Sequence, residues 1–226
     1  DILVLAGDIS YIDRIYNQDK WFFQYCSDNF SETYYIPGNH EFYHHNEISV
    51  LNAPLDERIF SNVRLVHNVH SHHQDIPLIF TSLFSNISRA FSGIIHMSVS
   101  DFFQIRMGNT RFTIKDFNDI HQKSVEFLKN TLNTLNSPAV VASHHLPSLR
   151  CNTGEHRKSN INEAFATDLD WLIDENSDKI SYWIYGHSHR NMPDVKIGQT
   201  TLVCNQLGYV FENEHTDFNS GSVIRP

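Results

Sequence analysis

Four short stretches place metal-ligating residue types directly after apolar runs: Gly7-Asp8, Gly38-Asn39-His40-Glu41, Ser143-His144-His145 and Gly186-His187-Ser188-His189. Singly, each has an ordinary explanation. An Asp after a strand commonly caps a helix or closes a turn. A Gly supplies the backbone freedom of a tight turn, and one His-x-His serves a surface as readily as a metal. Together they imply more. Oxygen and nitrogen ligands recur, in sequence order, at the ends of successive apolar segments. No cysteine joins them, which excludes a thiolate structural zinc site. In extended backbone the period of two puts His187 and His189 on one side, able to address one metal or two adjacent ones. A carboxylate such as Asp8 can bridge two ions through its two oxygens. Ions paired about 3.5–4 Å apart are standard apparatus for in-line attack on phosphorus.

To converge, these residues need strands whose carboxyl ends lie together. Residues 2–6, 33–36, 63–67, 78–82, 139–142, 181–185 and 200–203 read as short buried strands. A helix is expected over 19–29, with Trp21, Phe22, Tyr25 and Cys26 on one face. A second spans 120–135, where Val125, Leu128, Leu132 and Leu135 make a stripe that Pro138 closes. A third spans 162–176, with Phe165, Leu169, Leu172 and Ile173 inward. The stretch 86–113 is aromatic and polar without a period and reads as an insertion or lid. Residues 147–160 read as loop, and a polar tail begins near Glu212. No repeat or composition break divides the chain, so 1–226 is expected to be a single domain. Strands alternating with helices imply a layered α/β fold. In such folds, sites gather at the carboxyl ends of strands.

Composition narrows the function. The 226 residues are 40% hydrophobic and 19% charged, which suits a globular chain. The net charge of −9 argues against broad polynucleotide binding. A small anionic substrate is still compatible, because bound metal reverses the local sign. There are 15 histidines, and neutral imidazole is the commonest metal ligand. Cys26, Cys151 and Cys204 form no CxxC and read as buried thiols in a reducing cytoplasm. No apolar run reaches the roughly 18 residues of a membrane span. The chain opens with DILVLAGDIS, already inside a strand, so a preceding segment is expected to be missing.

The series GD…GNHE…HH…GHSH, from Gly7 to His189, resembles the calcineurin-like metallophosphoesterase superfamily in its small bacterial-type members. So does the Asn205-Gln206-Leu207-Gly208-Tyr209 segment after the last core strand. The resemblance implies a four-layer α/β/β/α sandwich with its first strand absent. It also implies a metal-dependent hydrolase of phosphomonoesters or phosphodiesters that uses a dinuclear centre and metal-bound hydroxide. Position by position, it makes Asp8 the bridging carboxylate and Asn39, His144 and His187 ligands of the second metal, with His145 as the alternative to His144. His189 becomes a ligand of the first metal. His40 contacts the phosphate and protonates the leaving oxygen, and Glu41 supports the loop or the His40 ring. Manganese or iron is the implied metal, with zinc, cobalt and nickel also compatible with oxygen and nitrogen ligation.

The family's Asp-x-His motif has no counterpart before Asp8. The first metal then keeps only Asp8 and His189, and the expectation is a chain that holds the second metal better and is impaired as a catalyst. Two other readings stay open: a metal-binding or interaction module whose catalysis has decayed, and a nuclease, which the acidic balance disfavours. The expected partner is a small phosphoester, with no nucleic acid and no membrane, in the cytoplasm. Away from the motifs, His44 and His45 read as exposed loop residues or the mouth of the pocket. His70, His72 and His73 read as a surface loop or hairpin tip, and His156, Arg157 and Lys158 as solvated loop.

Overall fold

The computed structural model describes residues 1–154 and 156–226. Strands β1 (Ile2–Leu5), β2 (Glu32–Tyr35), β3 (Leu55–Phe60) and β4 (Val63–His67) form a first sheet, ordered β1-β2-β4-β3. In it β1, β2 and β4 run parallel, and β3 closes the edge antiparallel to β4. Next come β5 (Val69–His73) and β6 (Ile76–Thr81), and then a segment with α2 (Ser92–Ser98), α3 (Asp101–Gln104) and a small hairpin, β7 (Arg106–Met107) with β8 (Thr110–Arg111). Helix α4 (Ile114–Thr134), β9 (Ala139–Ser143), α5 (Asp170–Glu175), β10 (Ile180–Ile184), β11 (Val195–Ile197) and β12 (Thr200–Val203) complete the core. The second sheet is ordered β11-β12-β10-β9-β6-β5. Its inner strands run parallel and its two edge strands antiparallel.

The burial pattern explains the layering. Every residue of β9 and the last three of β2 are buried, as parallel strands covered on both faces require. Between the sheets lie Tyr34, Val66, Leu78, Phe80, Val140 and Ala142, with the Tyr34 and Phe80 rings stacked 4.4 Å apart. Helix α1 (Lys20–Asn29) covers the first sheet through Phe23 and Cys26, against Tyr35, Val63 and Leu65. Leu128 and Leu132 of α4, with Leu172 and Ile173 of α5, cover the second sheet against Ile79, Val141 and Trp183. The result is a four-layer α/β/β/α sandwich. No helix among the described residues is long and apolar enough to cross a membrane.

Several expectations need correction. The face of α1 is turned from the one expected: Phe23 and Cys26 point inward, while Trp21 and Tyr25 are exposed. Helix α4 starts at Ile114 because Thr113 and Asp116 form a reciprocal capping box, a signal outside its apolar stripe. The helix expected over 162–176 is broken. The Leu146 N–H donates to the Phe165 carbonyl (3.2 Å) and the Thr167 N–H to the Leu146 carbonyl (3.0 Å), so strand-like pairing takes the backbone groups a helix would need. Only Asp170–Glu175 remains α-helical there. His70, His72 and His73 belong to β5, an edge strand in which His70 and His72 are exposed while Val69 packs against the core. Strand β3, with the sequence LDERIF, lies outside the expected strands because it has no apolar run, and an edge strand tolerates charge. The stretch 86–113 packs into a core shared with its surroundings, in which Ile95, Phe102 and Phe112 meet Phe42, Phe84 and Phe117.

Candidate metal centre

The site forms where the two sheets end on a common rim. Asp8 follows β1 and Asn39 follows β2, on the first sheet. His144 follows β9 and His187 follows β10, on the second. The turns must be narrow because the His144 ring is wedged beneath them. A Cβ on Gly7 would lie 2.1 Å from His144 Nδ1, and one on Gly38 would lie 2.3 Å from Asp8 Oδ1. Both positions therefore need glycine. Asp8, His187 and His189 hold left-handed backbone, at φ 58°, 71° and 52°. That region costs a non-glycine residue roughly 1–2 kcal/mol and gathers at functional sites.

The side chains point at one another. His144 Nδ1 lies 2.7 Å from the Ala6 carbonyl, which accepts its proton and leaves Nε2 with a lone pair in the neutral ring. From Nε2 it is 3.0 Å to His187 Nδ1, 3.2 Å to Asn39 Oδ1 and 3.4 Å to Asp8 Oδ2. The Asn39 amide cannot turn over, because its Nδ2 donates to Asp101 Oδ1 at 2.8 Å. Candidate ligand atoms of Asp8, His144 and His187 all lie within 4.8 Å of one another. Asp8 Oδ2 has no hydrogen-bond partner in the protein. Four acceptors converge here with too few protons to serve them, and a cation serves all four. Their chemistry, one carboxylate, one amide oxygen and two imidazoles, fits a divalent metal.

Two buried carboxylates brace this arrangement. Glu41 accepts the backbone N–H groups of Asp8 (2.9 Å), Ile9 (2.7 Å), Ser10 (3.3 Å) and Gly38 (2.6 Å), and the Tyr35 hydroxyl. It thereby ties the Asp8 turn to the Gly38 turn. Asp101, from α3, accepts Tyr43 Oη (2.8 Å) as well as the Asn39 amide. Nothing in the sequence marks Asp101: it is a lone acid in an aperiodic stretch, and its role depends on tertiary placement.

The outer residues are arranged differently. The half-buried His40 donates its backbone N–H to Asp8 Oδ1 at 3.0 Å. Its ring stacks on Tyr43 with centroids 4.2 Å apart, and its Nδ1 lies 3.3 Å from the Tyr209 hydroxyl. His189 stands outside the inner group, with Nδ1 3.1 Å from Glu214 Oε2 and its ring 6.3 Å from that of His40. Glu214 lies in the tail expected to be merely polar. The His145 ring sits behind the cluster, 4.5 Å from Phe84 and 4.2 Å from His187, and is fully buried. His44 and His45 are exposed, and so are His156, Arg157 and Lys158.

Charge follows the same geometry. Burial opposes ionisation of Asp8, but His144, His40 and His187 outweigh it and hold its carboxyl well below the usual range. Burial likewise opposes a charged His144, and Asp8 prevails, raising its pKa. Burial keeps His187 and His145 neutral, with pKa values well below normal. His189 is lowered as well, chiefly by burial. Glu41 and Asp101 are raised, first by burial and partly by Asp8. The centre thus pairs a firm anion with neutral imidazoles at His187 and His145, and with an imidazole at His144 whose hold on a proton Asp8 strengthens.

The sequence model of the calcineurin-like phosphoesterases matches residues 1–191. The chain belongs to this family. It is also 32% identical over 239 aligned residues to an uncharacterized protein of Acanthamoeba polyphaga mimivirus, covering 98% of this chain and 82% of that protein. Its fold matches the crystal structure of a phosphopantetheinyl hydrolase from Mycobacterium tuberculosis. There the TM-score is 0.68 at 17% identity, over 97% of this chain and 83% of that one. Calcineurin-like phosphoesterases generally work through divalent metal ions, and the group of Asp8, His144 and His187 is a candidate site for one.

Proposed function

We propose that the chain hydrolyses phosphoesters where Asp8 Oδ2, Asn39 Oδ1, His144 Nε2 and His187 Nδ1 converge. That convergence of acceptors, with half-exposed His40 beside it, carries the reading. A metal bound there, manganese or iron by preference, would neutralise phosphate charge and activate a water. Asp8 and His189 would hold a second ion more weakly. The chain's own residues supply the rest. Glu41 and Asp101 keep the Asp8 and Asn39 oxygens turned inward. Tyr43 and Tyr209 hold the His40 ring at the open side, where an alcohol can depart. There His40 donates a proton to the leaving oxygen as its bond to phosphorus breaks. The water oxygen ends on phosphorus, and the alcohol leaves neutral.

The test begins with the protein stripped of loose ions and reloaded with manganese. Elemental analysis gives the metal-to-protein ratio, and 4-nitrophenyl phosphate and bis(4-nitrophenyl) phosphate give turnover of a monoester and a diester. Metal-dependent release of nitrophenol, absent from a folded His144→Ala variant, is the expected result. Tightly bound metal with no turnover of either ester would sink the proposal and leave a metal-binding module.

A further inference from the structure

Residues 205–214 fold back over the rim and are fastened to the Gly186–His189 turn. Gln206 Nε2 donates to Ser188 Oγ and the Arg190 carbonyl, both at 2.9 Å, and its Oε1 accepts the His189 N–H at 2.9 Å. Asn191 exchanges two further bonds with the Gln206 backbone, at 2.9 and 2.6 Å. Glu214 Oε2 accepts the Tyr209 N–H at 2.8 Å. Among what this anchored segment presents outward are four large apolar or aromatic side chains, Leu207, Tyr209, Val210 and Phe211. The Tyr209 hydroxyl meets His40, and its ring lies edge-on to His189 at 4.6 Å. The Phe211 ring follows 5.1 Å further out and is 78% exposed. An aromatic ring so exposed, held against the tyrosine that meets His40, contributes nothing to a core. Isolated exposed aromatics need no explanation, but a row of rings leading from a reactive centre does.

We propose that Tyr209 and Phe211 form a stacking platform for a planar aromatic leaving group, so that this site takes phosphoesters of aromatic alcohols or of nucleosides. The proposal rests on the phosphoester reading above. An ester oxygen beside His40 places the first atoms of the alcohol along Tyr209, and a ring borne on them reaches the open face of Phe211. Aromatic faces stack favourably on one another and on bases. The net charge of −9 favours a small molecule over a polynucleotide.

The test is calorimetric titration of the manganese-loaded protein with non-hydrolysable phosphonates: 2-phenylethyl, the similarly sized 2-cyclohexylethyl, and a thymidine 5′-phosphonate. The phenyl compound is expected to bind about five-fold or more tightly than the cyclohexyl one. Phe211→Leu, at a position too exposed to threaten folding, should erase that preference. The tighter of the phenyl and thymidine compounds tells whether the natural group is a simple arene or a base. Equal affinities in the wild type, or a preference that survives Phe211→Leu, would overturn the platform. So would a dimer that Phe211→Leu dissociates while the preference stays intact. Aromatic preference without hydrolysis of any ester would keep the platform and remove the hydrolase. Failure of every phosphonate and of inorganic phosphate to bind would remove both.

Discussion

His144 and His187 at the floor of the site and His40 and His189 at its rim are the same residue type in two settings. On the floor, ring nitrogens face other acceptors across 3.0–3.4 Å, sealed from water, and burial keeps His187 neutral. At the rim each ring has a protein partner of its own: the Tyr209 hydroxyl for His40 and the Glu214 carboxylate for His189. A histidine whose lone pair meets other lone pairs is set to share a cation. A histidine that is half exposed and held by a hydroxyl is set to exchange a proton. The difference lies in the neighbours.

The strongest way to break this contrast is Asp8→Ala, which removes the only anion among the floor's converging atoms. Metal-dependent turnover is expected to vanish and bound metal to fall together, by elemental analysis. A variant that kept its metal would show that the floor is not the binding site. His40→Ala is expected to separate the two ends. Its kcat should drop about 100-fold or more, while the metal ratio stays that of the wild type. Asp101→Ala tests whether the floor depends on its bracing. With the Asn39 amide free to turn, manganese affinity should weaken about 10–100-fold by titration, and Asp101→Asn should restore most of it, since the Asn39 amide and the Tyr43 hydroxyl both donate to Oδ1, whose place an amide oxygen can take.

The smallest effect concerns a buried histidine outside the site. His67 is fully buried, and its Nδ1 accepts the Ser82 N–H. Burial pushes its pKa down to about 3. Above about pH 6.5 the ring is neutral in both folded and unfolded chains, and its contribution to stability is complete. As pH falls from there toward 3, the unfolded chain takes up a proton that the folded chain refuses. Stability should then decline by up to about 1.4 kcal/mol per pH unit. Urea melts of wild type and His67→Gln should diverge in slope below pH 6.5. Parallel slopes would assign the acid sensitivity elsewhere.

Much of this was legible in the amino-acid order. Strands such as 63–67 and 200–203 coincide with β4 and β12, because short buried runs between turn residues have few alternatives. The floor residues could be named because glycine turns and ligand types recur together at strand ends. Asp101 could not be, since its contact with Asn39 joins positions 62 residues apart. Glu214 was hidden for a related reason: a polar tail has no period, and what brings it to the rim is a segment fastened by the side chain of Gln206. The helix lost near 165 shows the converse: Leu169, Leu172 and Ile173 do point inward as expected, but pairing with Leu146 takes the backbone around Phe165, which packs elsewhere.

The stacked rings of Tyr34 and Phe80 lie in the layer between the sheets. Asp8 and Asn39 hang from one sheet, His144 and His187 from the other. That aromatic pair, with Val66, Leu78 and Val140, therefore fills the gap between the two halves of the candidate site. Thinning it, as Phe80→Leu would, is expected to shift the relative affinities for manganese and zinc in a competitive titration, through a residue that touches none of the candidate ligands.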